Sequence, residues 1–487
     1  MCKLANRSML FCVILLTAFS GPLWAQWDNI AIDTITNTHI QKQTTLQSLD
    51  LDSYGYAHMT WQEAIDGGGH RIFYATNNEL ELWGAPEEIV DSSRPSFSPA
   101  LTYSDFYQNP YVAYMRNSEI MLVYKQQFSW HHDQVTSNFQ LDEFPTIAID
   151  NNGLVHLAWI TDDTTSGEFK IAYAYGEPGN WDIQVLAGSY LGPYGTGACP
   201  YIGISSDGKA HIAYRGGDPN YYHIHYAWND SVGSRYWEYE LIPSGNINDF
   251  GKCLTIDSDD DLHIAVSGND GWGWPSKVFY IFKPLAGPWH APELVSASYS
   301  TTGPSLDIDS EGKPHIVSRE VSGNIYTGNI FYSYKDIYDF WCIEELIGSD
   351  HGKPSLKIDQ NGIGNLGINT GGISGDFDIC HVTGDIATSI DNQDPDKPLA
   401  HSYYLTQNYP NPFNAQTIIE YNLSTSDRVT IDIFDILGRS AGSLIEGEMP
   451  AGNHQVIWDA KGFSSGMYFY KIQAGDFVET KKMLLVK

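Results

Sequence analysis

An acid, a glycine three residues on and a histidine three residues beyond that recur along the chain, as in Asp150, Gly153 and His156, and this spacing leaves few folds open. Aligned on the acid, the copies stand at Asp52, Asp105, Asp150, Ser205, Asp257, Asp309 and Asp359, at intervals of 45 to 55 residues. Six positions after each lies His58, Tyr111, His156, His211, His263, His315 or Asn365. Short apolar runs flank the acid and the glycine, the pattern of a β-hairpin with a tight turn. Each copy continues with a Tyr-bearing run, such as IAYAY at 171–175 or IFYSY at 330–334. In six copies a further run follows, led by Trp83, Trp130, Trp181, Trp237, Trp289 or Trp341. Four short strands per unit of about 50 residues indicate a β-propeller, because one such sheet cannot bury both of its faces alone.

The seventh unit lacks the Trp-led run. WDNIAI at 27–32 resembles it and precedes the first complete hairpin. That segment is predicted to supply the last outer strand and close the ring, which removes the exposed edges that invite aggregation. The fold class is therefore all-β: a seven-bladed β-propeller over 27–384 closed by an N-terminal strand, a polar linker at 385–402, and a small Ig-like β-sandwich over 403–487.

Residues 1–25 carry Lys3 and Arg7, an apolar run at 9–19 and small residues before Gln26, which reads as a secretory signal cleaved after Ala25. No other stretch reaches transmembrane length, so no transmembrane segment is expected in the mature chain. The formal charge is −32. Loss of the signal's two cations takes it to about −34, a value that opposes nucleic acid and anionic membranes as partners. Outside the signal stand Cys199, Cys253, Cys342 and Cys380. A Cys199–Cys253 disulfide between neighbouring blades and buried free thiols are both open.

The recurring histidine invites a catalytic reading, since imidazole titrates near neutrality. Its recurrence argues for packing instead: one reaction centre needs one set of groups, whereas a buried histidine bonded to backbone or to the turn acid is useful in every blade. No metal or other cofactor is expected. The acidic turns, such as DSDDD at 257–261 and Asp307 with Asp309, offer oxygen ligands for Ca²⁺, but solvated turns account for them more simply.

Function is expected on the opposite rim, where connections after the second strand vary and a rigid scaffold would present them. Arg215 and Arg319 occupy equivalent positions there, with Arg116 one step along, and Arg71 precedes a third strand. Together they form a cationic mouth over a negative body, suited to a carboxylate or sulfate, unless each pairs with a nearby acid. Tyr221, Trp272 and Trp274 add faces on which sugar rings stack. The leading reading is a glycan- or protein-binding protein, not an enzyme. The alternative is a polysaccharide-degrading enzyme, a lyase or a glycoside hydrolase: Arg215 and Arg319 would neutralise a uronate carboxylate while Tyr222 or His223 serves as base and acid.

The turn loosely resembles the Asp-box of sialidase-like (BNR-like) propellers, although that motif runs Ser-x-Asp-x-Gly-x-x-Trp. The resemblance implies the propeller, not sialidase activity. At the C-terminus it is closer. YPNPFN with Tyr409, Pro410, Asn411 and Pro412, IFDILGR ending in Gly438 and Arg439, GMYFYKI opened by Gly466, and the terminal KKMLLVK with Lys481 and Lys482 resemble the type A C-terminal sorting domain of the type IX secretion system. The resemblance implies export through the periplasm, recognition by the type IX secretion machinery, and release from or attachment to the cell surface.

Overall fold

The computed structural model describes residues 28–36, 42–45, 47–64, 70–77, 82–91, 96–138, 140–163, 168–186, 199–218, 221–242, 246–269, 277–295, 301–320, 328–335, 341–350, 354–371, 377–385, 404–405, 408, 413–423, 426–436, 438–449, 452–475 and 477–486. The signal, the linker interior, Trp27, Trp272, Trp274 and Tyr409 to Pro412 lie outside these residues.

Each alternating run becomes a strand of an antiparallel blade. Blade 3 is the most regular: Asp142–Ile149 pairs with Val155–Asp163, that strand with Glu168–Glu177, and that one with Asn180–Val185. Blade 2 (Ser96–Ser104 to Ser129–Gln134) and blade 4 (Tyr201–Ile204 to Trp237–Leu241) follow the same order. In blade 1 the inner position is split between Lys42–Gln43 and Leu49–Leu51, both paired with Ala57–Ala64. Blades 5 and 6 run from Asn246–Ile256 to Glu293–Leu294 and from Thr301–Ile308 to Trp341–Asp350. Trp83 and Trp289 precede the outer strands they were expected to lead, which begin at Glu87 and Glu293.

Blade 7 has only three strands of its own, Ser355–Ile358, Ile363–Gly371 and Phe377–Asp385. Its fourth is Asp28–Thr34, antiparallel to Phe377–Asp385, with Ile32 opposite Val382 and Thr34 opposite Cys380. The N-terminal strand closes the ring as the sequence predicts. Two side-chain links reinforce the seam: the Thr44 amide donates to Asn369 Oδ1 at 2.9 Å, and Lys357 Nζ stands 3.2 Å from Asp50.

Alternation within a strand serves two neighbours at once. In blade 3, Leu157 and Trp159 pack into a cluster with blade 2's Ala113 and Leu122, while Ala158 and Ile160 pack with blade 4's Ile212 and Tyr214. Comparable clusters fill every other blade interface, including that of blades 7 and 1, where Ile379 meets Leu49 and Met59. With each such side chain worth about 1.5–3 kcal/mol on burial, a blade is stable only between its neighbours.

The C-terminal unit is a two-sheet sandwich. Tyr404–Leu405, Gln416–Leu423 and Gly452–Asp459 form one sheet; Ser440–Met449, Asp427–Asp435, Gly466–Ala474 and Phe477–Leu485 form the other. Ile419, Tyr421, Ile431, Ile433, Tyr470 and Ile472 fill its core.

Candidate functional site

The turn chemistry explains the recurring acid and histidine. In blade 3, Asp150 Oδ1 accepts the amides of Asn152 and Leu154 at 2.9 and 2.8 Å, and Gly153 adopts the positive φ of 83° that the turn requires. Oδ2 is left facing His156 Nε2 at 3.7 Å. The same separation is 3.5 Å for His58 and Asp52, and 3.1 Å both for His263 with Asp257 and for His315 with Asp309. Across the blade the other ring nitrogen, Nδ1, accepts from a tyrosine hydroxyl: Tyr74, Tyr173, Tyr226, Tyr280 and Tyr332 reach His58, His156, His211, His263 and His315 at 2.5–2.7 Å. Where the acid is present, this places the remaining proton of a neutral imidazole on Nε2, toward the carboxylate.

These groups are buried, with His156 and His315 at most 1% exposed. Burial first, then Tyr175 and the nearby acids, pushes Tyr173 well above the ordinary phenol range. Burial lowers His263 against the pull of Asp257. It takes His211 down to about 4, and blade 4 lacks the turn acid, having Ser205 there. For Asp52, Asp150 and Asp309, burial works upward, but the facing histidine and hydrogen bonds from the turn amides bring the net value below that of a free aspartate. The histidine is thus a packing element, as its repetition indicates. The tyrosine partner is the part of the arrangement that the spacing within one hairpin does not reveal.

Two blades depart from the pattern. In blade 7 the roles are exchanged: Asn365 holds the histidine position, and His381 holds the tyrosine position and bonds Asn365 Oδ1 at 3.0 Å. Blade 2 has Tyr111 for the histidine and Leu122 for the tyrosine.

On the opposite rim the expected connections are shorter than the sequence suggests. Blade 4's second strand continues to Asp218 and its third resumes at Tyr221, so Arg215, Tyr221, Tyr222 and His223 are strand residues. The correction has a simple cause: glycines 216 and 217 look like loop but pair in register opposite His223 and Tyr222. Arg319 is likewise in the strand Pro314–Glu320, opposite Thr302 and Ile330, and is 8% exposed. Arg215 and His223 stand on neighbouring strands of blade 4, whereas Arg319 belongs to blade 6 with blade 5 between. Arg71 lies 3.6 Å from Glu63 and 3.4 Å from Glu88, over the Phe73 ring at 5.3 Å. Arg116 donates to Ser96 Oγ at 3.2 Å and lies 3.9 Å from Asp91. Both therefore take the local ion pairs that the sequence left as the other possibility. At the loop end of the inner strands, bulges with positive φ at Ser98, Phe144 and Gly303 turn the backbone.

The acidic turns spend their carboxylates on the protein. Asp257 Oδ1 accepts the amides of Asp259 and Asp261, Asp260 accepts Ser206, and Asp261 accepts the Leu285 amide. Among the described residues no group of three His, Cys, Asp or Glu is placed to hold a metal ion. The Cys199–Cys253 pairing rests on the Cys253 side chain, which lies outside the described set.

Sequence reasoning missed the channel on the propeller axis. A cavity of about 210 Å³ is lined by the inner strands of all seven blades, with Asp50, Thr102, Asp307 and Lys357 among its polar groups. Asp50 accepts from Thr102 Oγ1 at 3.1 Å and the Tyr103 amide at 2.8 Å, and Asp307 accepts the Ile358 amide at 2.8 Å. Asp50, Asp307 and Lys357 each stand two residues before a turn acid, a register that strand alternation in LDLD and LDID already carries.

In the sandwich, Gly438 turns the chain at φ 74°, and Arg439 Nε donates to Asp435 at 2.7 Å. Gly466 opens its strand, Lys481 lies 3.1 Å from Glu479, and Lys482 pairs in register with Phe469. Asn408, beside the motif that opens the domain, is buried and ties Tyr470 to Thr417.

Comparison with known proteins assigns the C-terminal unit. Residues 407–487 match the secretion system C-terminal sorting domain. This segment is the sorting signal. The protein is accordingly handled by the type IX secretion machinery and secreted or attached to the cell surface. Among curated proteins none matches the chain. Three solved structures are similar to this chain at low identity. A protein of unknown function from Dyadobacter fermentans is 10% identical, with 74% of this chain and 99% of that one covered at a TM-score of 0.47. An ulvan lyase is 11% identical, with 72% and 96% covered at 0.46. The NanB sialidase of Streptococcus pneumoniae is 10% identical, with 75% and 71% covered at 0.41. Among the described residues no helix is long and apolar enough to cross a membrane.

Proposed function

We propose that this exported propeller is a recognition module that holds an anionic glycan on the rim opposite the Asp-Gly turns, without turning it over. One observation carries the reading: in an acidic chain, neighbouring strands of blade 4 set Arg215 beside the strand that bears Tyr221, Tyr222 and His223. Guanidinium groups on a rigid sheet suit the planar carboxylates and sulfates of such a ligand.

The test is to incubate the mature protein with a panel of uronate-containing and sulfated polysaccharides, following retention and the absorbance of unsaturated uronate. Retention without product is expected, weakened by Arg215→Ala. Product sensitive to Arg215 and His223 substitution would establish the lyase alternative, and neither retention nor product would end the glycan reading.

A further inference from the structure

On the Asp-Gly rim, blade 2 differs from the others because its histidine position is Tyr111. The exchange produces a row of rings across the blade. Phe106 and Tyr107, at the tip of the inner turn, lie 4.8 Å apart edge to face. Tyr107 is 6.4 Å from Tyr111, Tyr111 stacks on Tyr124 at 5.5 Å, and Tyr124 stacks on His131 of the outer strand at 5.7 Å. Phe128, in the turn between the third and outer strands, emerges on the same rim because strand direction alternates. Tyr54 stands in the blade 1 turn alongside, which the Ser53 amide ties to Asp105 at 2.8 Å. Tyr54, Phe106 and Phe128 are 67%, 61% and 97% exposed. The platform is held firmly on its other flank, where a Cβ on Gly153 would come within 2.7 Å of Tyr107.

The charge beside these rings has one sign. Asp105 and Glu177 border them at the surface, and no Lys or Arg occurs in residues 52–56, 104–109, 126–129, 150–154 or 177–180. Glu177 is close enough to contribute to the rise of the Tyr111 phenol, which burial, then Tyr107 and Tyr124, push up to about 12. The adjacent Lys125 is held by Glu87 at 2.7 Å. Exposed aromatic faces bordered by carboxylates attract cations through both the ring quadrupole and direct charge, and they repel the anionic ligand proposed for the opposite rim.

We infer that this aromatic, acidic strip on blade 2 and the neighbouring turns is a docking surface for an extended Lys- or Arg-rich segment of a partner protein. Tyr111 is 4% exposed and supports the row from within the blade; the exposed rings Tyr54, Phe106 and Phe128 stand on three turns of the rim, so they suit an extended segment rather than a single side chain. The chain's net charge of −32 steers such a segment toward the protein.

The test uses the full chain and an oligolysine peptide, with oligoglutamate and a neutral cello-oligosaccharide as controls. The peptide should bind with an affinity that falls as salt is raised. Phe106→Ser and Phe128→Ser change exposed rings and leave the fold intact; each should weaken binding about five-fold, the scale of an exposed cation–π contact. Arg71→Ala should leave peptide binding unchanged, which separates this surface from the opposite rim. Equal binding by the serine variants, absence of peptide binding, or retention of the neutral oligosaccharide in its place would each overturn the inference.

Discussion

The indole of Trp130 in blade 2 stands edge-on to the phenol of Tyr74 in blade 1, with centroids 5.0 Å apart and planes at 71°. Its Nε1 donates to Glu87 on blade 1's outer strand at 2.8 Å, and Lys125 reaches the same carboxylate. The relationship repeats as Tyr173 with Trp237, Tyr226 with Trp289 and Tyr280 with Trp341, and Trp83 stands in the same way on His381. Four tryptophans therefore cap the histidine-bound tyrosine of the preceding blade, Trp83 caps His381 in the same way, and the histidine, tyrosine and indole rings together link one blade to the next.

Trp130→Phe keeps most of the ring but removes the donor to Glu87. The loss should be about 1–2 kcal/mol, read as a lower midpoint in denaturant unfolding. Trp130→Ala, which also empties the site over Tyr74, should cost about 3 kcal/mol or more. Tyr280→Phe strips His263 Nδ1 of its donor and is expected to cost about 1–3 kcal/mol at neutral pH.

Acid should unfold the propeller early, and the sign follows from burial. His211 and His381 titrate at about 4 in the folded chain, burial being the first cause in both, against 6.5 when free. The unfolded chain therefore takes up protons first. Stability falls as pH drops from about 6.5 and levels below about 4, by roughly 3 kcal/mol for each group. The depressed aspartates Asp52, Asp150 and Asp309 add to the loss at still lower pH, as they are protonated. His381→Tyr, which installs the residue that five other blades use there, should move the acid midpoint seen by tryptophan fluorescence downward. An unchanged midpoint would refute this account.

Closure should be severable. Deleting residues 28–34 uncovers the edge of Phe377–Asp385, and the expected result is a large fall in melting temperature with light scattering from edge-to-edge association. Lys357→Met breaks the ion pair with Asp50, which is partly exposed, and should cost no more than about 1 kcal/mol.

Removal of residues 403–487 should leave the propeller folded but retained in the periplasm, measured by fractionation and protease accessibility on intact cells. Normal surface delivery of the truncated chain would contradict the role of the sorting domain.

Much of the fold was legible because its repeats are local. The acid and glycine of each turn lie within one hairpin, so their spacing shows directly in the sequence, and the missing seventh outer strand pointed to residues 27–32 as its replacement. The candidate site was less legible. Glycines 216 and 217 suggested a loop but are paired strand, and the arginines' partners, Glu88 and Asp91, are 17 and 25 residues from Arg71 and Arg116. Blade 2's row of rings was hidden for the opposite reason: Tyr111 looked like one exception to a repeat until Tyr107, Tyr124 and His131 were brought beside it.

By itself the sequence determined the number of blades, the closing strand, the packing role of the histidines and the export signal, since each rests on residues close in the chain or on a period that repeats. Only the tertiary structure decided which aromatic and charged groups are committed and which face solvent. Tyr280 meets Trp341, and Lys357 meets Asp50, only after neighbouring blades close on each other. The burial that silences His211 and leaves Phe128 in water is a property of that closed ring.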